Sequence, residues 1–319
     1  MTGASGFIGS AVVRRLIAAG RPVRCFVRST SRTDRLDDLP CERAIGDLRE
    51  AGAVERAARG CQAVIHLGGI SAWSDINSPL MFPVVVEGTR HVLAAAKEHA
   101  LPVVYASSAA ALGPSRIPRP RDETAAFDGR AAAGMTYVLA KREAEQLCLA
   151  AAADGLPVVI ASPAEVYGPR DRDLITAGNL IGLLKGPVAL VCRGGTSIVH
   201  VEDVAQGMMQ ALDRGASGRR YLLGGDNLHH RELAQLLLEL SGRRRPVVTL
   251  PAGLVRISAA LAARCRMPFP IPPPVVPYAT SFWFVDHSRA KVELGIEFRS
   301  ARETLAETLA WLRAAGYLR

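Results

Sequence analysis

The chain has 319 residues, of which 49% are hydrophobic and 22% are charged, a composition typical of a globular protein that can bury a substantial core. The formal net charge is +9, but the arginines look scattered along the chain, and no basic stripe with interleaved aromatic residues argues for nucleic-acid binding. The positive charge suits an anionic cofactor instead. The most apolar long window, residues 174–192, contains Lys185 and Pro187, so no transmembrane segment is predicted.

The six cysteines show no Cys-x-x-Cys pair and no His/Cys pairing at the spacing of metal ligands. This pattern is typical of free thiols in a reducing compartment, and it predicts neither disulfides nor a metal site. Because no signal peptide precedes the first motif, we expect a cytoplasmic protein.

A glycine-rich stretch opens the chain. Gly3, Gly6 and Gly9 are spaced three residues apart and lead into an amphipathic helix that ends near Gly20. Glycines at this spacing let the backbone approach a pyrophosphate, which then binds at the N-terminus of the helix. We predict that a dinucleotide contacts this loop and the first helical turn through Gly3, Ser5, Gly6, Phe7, Ile8 and Gly9.

The strand that normally precedes such a loop is missing, since only Met1 comes before Thr2. In a doubly wound sheet the first strand is central, so its loss should be severe. We therefore expect a truncated first strand, either because the natural start lies upstream or because the chain is a shortened product.

Apolar runs alternate with helical patterns through the first half of the chain, at residues 22–28, 44–48, 62–69, 103–108 and 157–162. The alternation predicts an α/β fold with a Rossmann-type, doubly wound parallel sheet. Later the pattern loosens into helices and a short strand. We predict a dinucleotide-binding domain over residues 1–165 and a smaller, mixed substrate-binding region over residues 166–319, interleaved with the first domain.

Further cofactor contacts are expected where the strands end. About twenty residues after the glycines an NAD site usually carries an acidic residue for the ribose hydroxyls, but this chain has Arg28, followed by Arg32. A guanidinium suits a 2′-phosphate, so NADP is favoured and NAD is the alternative. Asp47 is a candidate to contact the edge of the adenine base, with Leu48 beside it. The cofactor is then expected to pass Leu67, Gly68 and Gly69 at the end of the next apolar strand.

Tyr137 and Lys141 are the candidate catalytic pair. Residues four apart on a helix lie on one face, and an ammonium there favours the ionised phenol, which should lower the pKa of Tyr137 and make it a general acid/base near neutral pH. Ser108 follows an apolar strand at its carboxyl end and is placed to hydrogen-bond a substrate carbonyl, with Ser107 as the alternative. The competing interpretation of the pair is a half-buried tyrosine and a solvated lysine on a surface helix. The chain has four lysines and thirty-five arginines, however, so a basic residue at this position would by composition alone be an arginine.

Together these motifs resemble the extended short-chain dehydrogenases/reductases, the NAD-dependent epimerase/dehydratase family. The glycine motif, Ser108, Tyr137 and Lys141 occur in the family order, and further segments match at residues 86–93, 162–169, 199–205, 285–290 and 293–295. The resemblance covers essentially the whole chain. It implies that Tyr137 exchanges a proton with substrate, that Lys141 holds ribose hydroxyls, and that Ser108 orients the carbonyl. It also implies a nicotinamide near Pro163 and Val166, and homodimers are common in the family.

Three departures from the family pattern guide the choice of branch. Val85 stands where an Asn is common, Ser162 where an Arg usually precedes the Pro, and residues 195–200 lack the Arg that grips a diphosphate in the nucleotide-sugar branch. The sequence therefore looks closest to dihydroflavonol reductases, 3β-hydroxysteroid dehydrogenases and hopanoid-associated sugar epimerases.

Three functions follow as hypotheses. The leading one is an NAD(P)-dependent oxidoreductase acting on an apolar ketone or secondary alcohol, in a pocket fed by Trp73, Tyr278, Phe282 and Trp283, although these aromatics would equally suit lid packing. The second is a nucleotide-sugar epimerase or dehydratase with the same Tyr and Lys, in which Arg170, Arg172 or Arg193 contacts the phosphates. The third is a non-catalytic NADP-binding sensor, which the intact Tyr137 and Lys141 disfavour.

Overall fold

The structure is a computed structural model and describes residues 1–265, 267, 269 and 271–318. Within these ranges the β-strands are β1 (Arg24–Val27), β2 (Glu42–Ile45), β3 (Val64–His66), β4 (Val103–Ala106), β5 (Val158–Pro163), β6 (Glu165–Tyr167), β7 (Ala189–Cys192), β8 (Gly195–His200), β9 (Arg220–Leu223), β10 (Asp226–His229), β11 (Val247–Leu250) and β12 (Phe282–Trp283). The α-helices in the same ranges are α1 (Phe7–Ala18), α2 (Ala51–Ala58), α3 (Gly88–Glu98), α4 (Thr136–Ala153), α5 (Ala177–Leu184), α6 (Val201–Arg214), α7 (His230–Ser241), α8 (Ala252–Arg264), α9 (Val276–Ala279), α10 (Ser288–Leu294) and α11 (Ala301–Ala314).

The main sheet is parallel throughout. β1 pairs with β2, and β3, β4, β5 and β9 pair in that order. Its central strands are rich in β-branched residues and are buried on both faces, as parallel sheets covered by helices require. The order in which the chain adds strands reverses between β1 and β3: β1 and β2 extend the sheet to one side of Thr2, and β3, β4 and β5 extend it to the other. Open α/β sheets bind ligands at such a point. The predicted doubly wound α/β fold is confirmed.

Residues Met1 and Thr2 lie between β1 and β3. Thr2 forms parallel bridges to Phe26 and His66. Its amide donates to the Ile65 carbonyl at 3.0 Å, and the Phe26 amide donates to the Met1 carbonyl at 2.8 Å. The strand order is therefore β2-β1-Thr2-β3-β4-β5-β9, in which the bridging residue Thr2 connects β1 to β3.

A buried histidine fastens this junction. The Nδ1 atom of His66 is 2.6 Å from the Thr2 hydroxyl, and its Nε2 atom is 3.1 Å from the Thr89 hydroxyl. Burial lowers the pKa of His66 to about 3, so the imidazole is neutral at physiological pH. His66 therefore serves the core and has no free nitrogen for substrate.

The second half of the chain builds a smaller layer around β8, which pairs with β6 and β12 in parallel and with β10 antiparallel. β7 and β11 form a separate parallel pair. β9 and α6 return to the main sheet, where Val204 and Tyr221 share a core with Val12 of α1. Residues after 165 thus contribute to both layers, and the division into two domains at residue 165 stays a prediction.

A buried polar network holds α4 on the sheet. Glu145 is completely buried, and its carboxylate forms an ion pair with the Arg220 guanidinium of β9. The same carboxylate accepts a hydrogen bond from the Ser162 hydroxyl of β5 at 3.2 Å. Because both ions are shielded from water, each depends on the other for its stability in the folded state. The network therefore fixes the position of α4 relative to β5 and β9.

We expect Glu145→Ala to lower the free energy of unfolding by about 3–5 kcal/mol, because it leaves Arg220 as an uncompensated buried charge. Urea denaturation monitored by circular dichroism measures the change. The matched control is Glu239→Ala, which removes an exposed ion pair with Arg302 and should cost about 1 kcal/mol or less. Equal losses for the two variants would contradict the structural importance of the network.

Candidate active site

The glycine-rich loop makes close backbone contacts that exclude a side chain. Gly3 has a φ of +67°, and a Cβ atom there would lie 2.6 Å from the Leu67 carbonyl carbon. A Cβ atom on Gly9 would lie 2.0 Å from the Gly3 oxygen. α1 begins at Phe7 behind Gly6, with no side-chain cap and no acidic residue in its first turn. The loop and the uncapped helix N-terminus fit the pyrophosphate of a dinucleotide.

Arg35 contacts this loop, and the sequence did not identify it as a candidate site residue. The Arg35 side chain is 3% exposed and donates to the Ser5 carbonyl at 3.2 Å and to the Arg170 carbonyl at 3.3 Å. It also forms an ion pair with Asp173 at 2.8 Å. In a chain with thirty-five arginines no local pattern distinguishes this one. The contacts tie the glycine loop to the segment that follows β6.

The two arginines predicted to bind a 2′-phosphate lie after β1. Arg28 is exposed, and its backbone amide donates to the Ser31 hydroxyl at 3.2 Å. Arg32 is 70% exposed and lies 3.7 Å from both Asp34 and Asp173. Both guanidinium groups are therefore accessible, and Arg32 is partly neutralised by its acidic neighbours. The assignment to a phosphate stays a prediction.

Asp47 and Leu48 follow β2, as predicted, but they have different surroundings. Arg49 forms an ion pair with the Asp47 carboxylate at 2.7 Å and holds the pKa of Asp47 at about 2, so this carboxylate is ionised. Leu48 packs closely on two glycines: a Cβ atom on Gly68 would lie 2.4 Å from its Cδ1, and one on Gly88 would lie 3.1 Å from its Cβ. Leu48 thus fills the space beside the end of β3.

Ser108 and Tyr137 meet at the carboxyl end of β4. Ser108 caps a short 3-10 helix by accepting from the Ala110 amide at 3.2 Å. Burial raises the pKa of Tyr137, and a hydrogen bond with the Ser108 side chain partly offsets the rise. The direction is opposite to the expected lowering by Lys141. The phenol therefore keeps its proton at neutral pH, as the predicted role of a proton donor requires.

The orientation of Lys141 explains this difference. Its Nζ atom donates to the Ala106 carbonyl at 2.9 Å and lies 5.2 Å from the centre of the Tyr105 ring, so its contacts are with β4 and not with the Tyr137 phenol. Burial lowers the pKa of Lys141 to about 8. A Cβ atom on Gly69 would lie 3.7 Å from the same Nζ, which places the lysine beside the predicted path of the cofactor.

Glu145 contributes to the electrostatics of the site and was also missed from the sequence. It lies one helical turn after Lys141, and its charge opposes the fall in the pKa of that lysine. The i, i+4 spacing of the two residues was the signal that could have identified it.

Pro163 and Val166, which are predicted to lie near the nicotinamide, are both buried. Pro163 ends β5, the strand adjacent to β4, and Val166 lies in β6, the short strand that follows β5.

An aromatic cluster of Trp73, Tyr278 and Trp283 packs against Tyr137. The rings of Trp73 and Tyr278 meet edge to face at 5.4 Å, and those of Tyr278 and Trp283 stack at 5.7 Å. The Trp283 indole donates to the Tyr278 carbonyl at 3.0 Å. Three of the four aromatics expected near the pocket therefore gather beside the candidate general acid.

Phe282 is not part of this cluster. Its ring lies 5.5 Å from that of His229 and 5.7 Å from that of Phe284, on the other side of β12. Successive side chains of a strand point to opposite faces, so Phe282 and Trp283 cannot both face Tyr137. The expectation that Phe282 lines the pocket was wrong.

Comparisons with known proteins agree with this geometry. The profile of the NAD dependent epimerase/dehydratase family matches residues 1–224. Sterol demethylase protein B of Methylococcus capsulatus is 31% identical over 328 residues, which cover 100% of this chain and 99% of that protein. Dihydroflavonol 4-reductase of Zea mays is 31% identical over 261 residues, which cover 74% of this chain and 72% of that protein.

A solved structure is similar over the full length of the chain. The crystal structure of gox2253 superposes with a TM-score of 0.87 at 32% identity, and the match covers 100% of this chain and 98% of that chain. The agreement includes the smaller layer around β8 as well as the main sheet. The chain therefore belongs to the NAD dependent epimerase/dehydratase family of extended short-chain dehydrogenases/reductases and is an NAD(P)-dependent enzyme.

Proposed function

We propose that this enzyme is an NADP-dependent reductase that converts an apolar ketone into a secondary alcohol, with Tyr137 as the general acid. The observation that carries the proposal is the position of Tyr137: its half-buried phenol keeps its proton at neutral pH, lies by Ser108 and packs beside an aromatic cluster. A protonated donor suits reduction, in which the carbonyl oxygen gains a proton. In oxidation of the alcohol the same group would have to accept one.

The residues proposed to hold the cofactor follow the carboxyl edge of the sheet. The glycine loop would bind the pyrophosphate, Lys141 the ribose hydroxyls, and Pro163 and Val166 would flank the nicotinamide. NADPH supplies a hydride to the carbonyl carbon when it is bound. The close backbone contacts at Gly3 and Gly9 support this arrangement, because they leave the helix N-terminus open to phosphate.

The proposed proton transfer uses two hydroxyl groups. Ser108 donates a hydrogen bond to the carbonyl oxygen of the substrate and orients it, while Tyr137 donates its proton to the same oxygen. As the carbonyl carbon gains the hydride, the oxygen gains this proton and becomes the alcohol hydroxyl.

The substrate is proposed to be apolar because of the side chains around Tyr137. Trp73, Tyr278 and Trp283 offer broad aromatic surfaces, which favour ring systems over a sugar with many hydroxyl groups. Two relatives, a dihydroflavonol 4-reductase and a sterol demethylase protein, support a flavonoid-like, steroid-like or isoprenoid-like ketone.

The second candidate function is epimerisation or dehydration of a nucleotide sugar, which the name of the matching family favours. It requires an arginine for the diphosphate. Arg172 is already paired with Asp34, whereas Arg170 and Arg193 are exposed. Nucleotide-sugar turnover is therefore the competing outcome in an activity screen.

Two further expectations stay predictions. A homodimer is expected from the family, and light scattering coupled to gel filtration measures it directly. Cytoplasmic residence is expected because the cysteines are free thiols, three of them buried. Fractionation of the native host measures the location.

We expect Tyr137→Phe to lower kcat for ketone reduction by about 10²–10⁴-fold, the usual contribution of a general acid. The change removes one hydroxyl group from a side chain that packs against two hydrophobic clusters, so the fold and NADPH binding should be retained. Steady-state kinetics and fluorescence titration separate the two effects. Tyr317→Phe, on an exposed residue, is the matched control and should be fully active. Activity of Tyr137→Phe within threefold of this control would contradict the assigned role, the threshold being about 0.7 kcal/mol.

We expect Arg28→Ala to weaken NADPH binding about tenfold or more and to leave NADH binding unchanged, because only NADPH carries the 2′-phosphate. Fluorescence titration with each nucleotide measures both dissociation constants. Arg231→Ala, which removes another exposed arginine, is the control. Equal weakening for NADPH and NADH, or tighter binding of NADH by the parent enzyme, would refute the assignment of NADP.

A further inference from the structure

The helix α8 presents aliphatic side chains to solvent along one stripe. Leu254, Ile257 and Leu261 are 56%, 63% and 57% exposed, and their i, i+3, i+7 spacing places them on one face. The opposite face carries Val255 and Ala259, which are buried against the rest of the fold. The helix is therefore anchored by one face and leaves an apolar face uncovered.

The exposed apolar surface continues past the end of the helix. Met267, three residues beyond the last residue of α8, is 64% exposed. Four large apolar side chains exposed by more than half within fourteen residues are an unusual concentration for a protein surface. Among the other exposed large apolar residues, Leu190 and Val248 form one pair across β7 and β11, whereas Ile117 and Val292 are isolated in sequence.

The sequence segment that contains this stripe carries charge of one sign. Although the arginines look scattered along the whole chain, residues 240–285 contain six arginines and neither aspartate nor glutamate. This segment, about one seventh of the chain, therefore carries +6 of the net charge of +9. Arg264 lies seven residues after Ile257, on the same side of α8, and is exposed. The stripe thus combines aliphatic side chains with positive charge.

α8 is attached directly to the segment that carries the aromatic cluster. The Arg256 guanidinium donates to the Thr280 hydroxyl at 2.8 Å and to the Thr280 carbonyl at 3.3 Å. Val255 and Ala259 pack in one core cluster with Val276, next to Tyr278 in α9. A surface bound by the exposed face of α8 would consequently be held close to the segment that carries Tyr278 and Trp283 of the aromatic cluster.

We propose that the exposed face of α8, with Leu254, Ile257, Leu261, Met267 and Arg264, docks on the surface of an anionic lipid bilayer. Aliphatic side chains enter the interface between headgroups and acyl chains, and arginines contact the anionic headgroups. No helix in the described part of the chain is long and apolar enough to span a bilayer, and docking of this kind needs none. Delivery of a membrane-dissolved ketone to Tyr137 would follow, and that step alone rests on the proposed function.

The charge decides between the bilayer and two other occupants. A symmetric contact with a second copy of the chain would bring the same arginine-rich, acid-free segments together, and their repulsion opposes it. A nucleic acid would satisfy the arginines but would leave the leucine and isoleucine side chains without an apolar partner. An anionic bilayer is complementary to both components of the stripe.

Co-sedimentation of the full chain with lipid vesicles tests the proposal. The vesicles are phosphatidylcholine alone, or phosphatidylcholine in which about a third of the lipid is phosphatidylglycerol. We expect binding to the anionic vesicles and at least about fivefold weaker binding to the neutral ones, since each interfacial arginine contributes about that factor. The double variant Ile257→Ser/Leu261→Ser should bind the anionic vesicles at least about tenfold more weakly, because it removes two aliphatic anchors.

The matched control is Ile117→Ser/Val292→Ser, which removes two exposed aliphatic side chains far from α8 in sequence. It should bind like the parent, and circular dichroism should show that both double variants are folded. Arg264→Glu should weaken binding to anionic vesicles only. Absence of vesicle binding by the parent, or equal binding by both double variants, would overturn the proposal. Binding to a DNA duplex that survives Ile257→Ser/Leu261→Ser would overturn it in favour of a nucleic acid. Vesicle binding is measured in the absence of substrate turnover. A lack of vesicle binding would therefore overturn the docking proposal without bearing on the reductase assignment.

Discussion

The ion pair between Glu145 and Arg220 is the constraint on which the candidate site depends. It is buried, it joins α4 to β9, and Ser162 of β5 hydrogen-bonds the same carboxylate. α4 also carries Tyr137 and Lys141, so the position of both functional groups relative to the sheet is set by this contact. A buried pair is costly to desolvate, and replacing it with apolar residues is often neutral for stability. We attribute its presence to the precise placement of α4, because only a paired geometry satisfies both charges.

Burial also determines the chemistry of the two groups. The pKa of Tyr137 is raised because its phenol is shielded from water, so its proton is available for donation. The pKa of Lys141 is lowered to about 8 for the same reason, with Glu145 opposing the fall. Desolvation thus moves both groups towards their neutral forms. The Tyr–Lys spacing in the sequence predicted that the two side chains lie on one face of a helix. It did not predict the direction of the two pKa shifts, because spacing on a helix carries no information about exposure.

Local signals were sufficient for much of the fold. Glycines spaced three apart, apolar strand runs and helical periodicity located α1, β1, β3, β4 and β5, and they placed the candidate residues at one edge of the sheet. Short strands such as β6 and β12, with three and two residues, have too little periodicity to be predicted and form only because β8 pairs with them. Arg35 and Arg220 act through contacts between residues far apart in sequence, which no local pattern records. Phe282 was predicted to face the pocket because the sequence does not show the register of β12, which is set by its pairing with β8.

The most direct test of the proposed ketone reduction is to follow the hydride. NADPH labelled with deuterium at C4 of the nicotinamide, as each of its two stereoisomers, is incubated with a steroid-like or flavonoid-like ketone, and the products are analysed by mass spectrometry. The reductase assignment predicts that with one stereoisomer the alcohol gains a deuterium on its carbinol carbon, and that Tyr137→Phe nearly abolishes the transfer. No reduction of any such ketone, together with isomerisation or dehydration of a nucleotide sugar and no net consumption of cofactor, would contradict it.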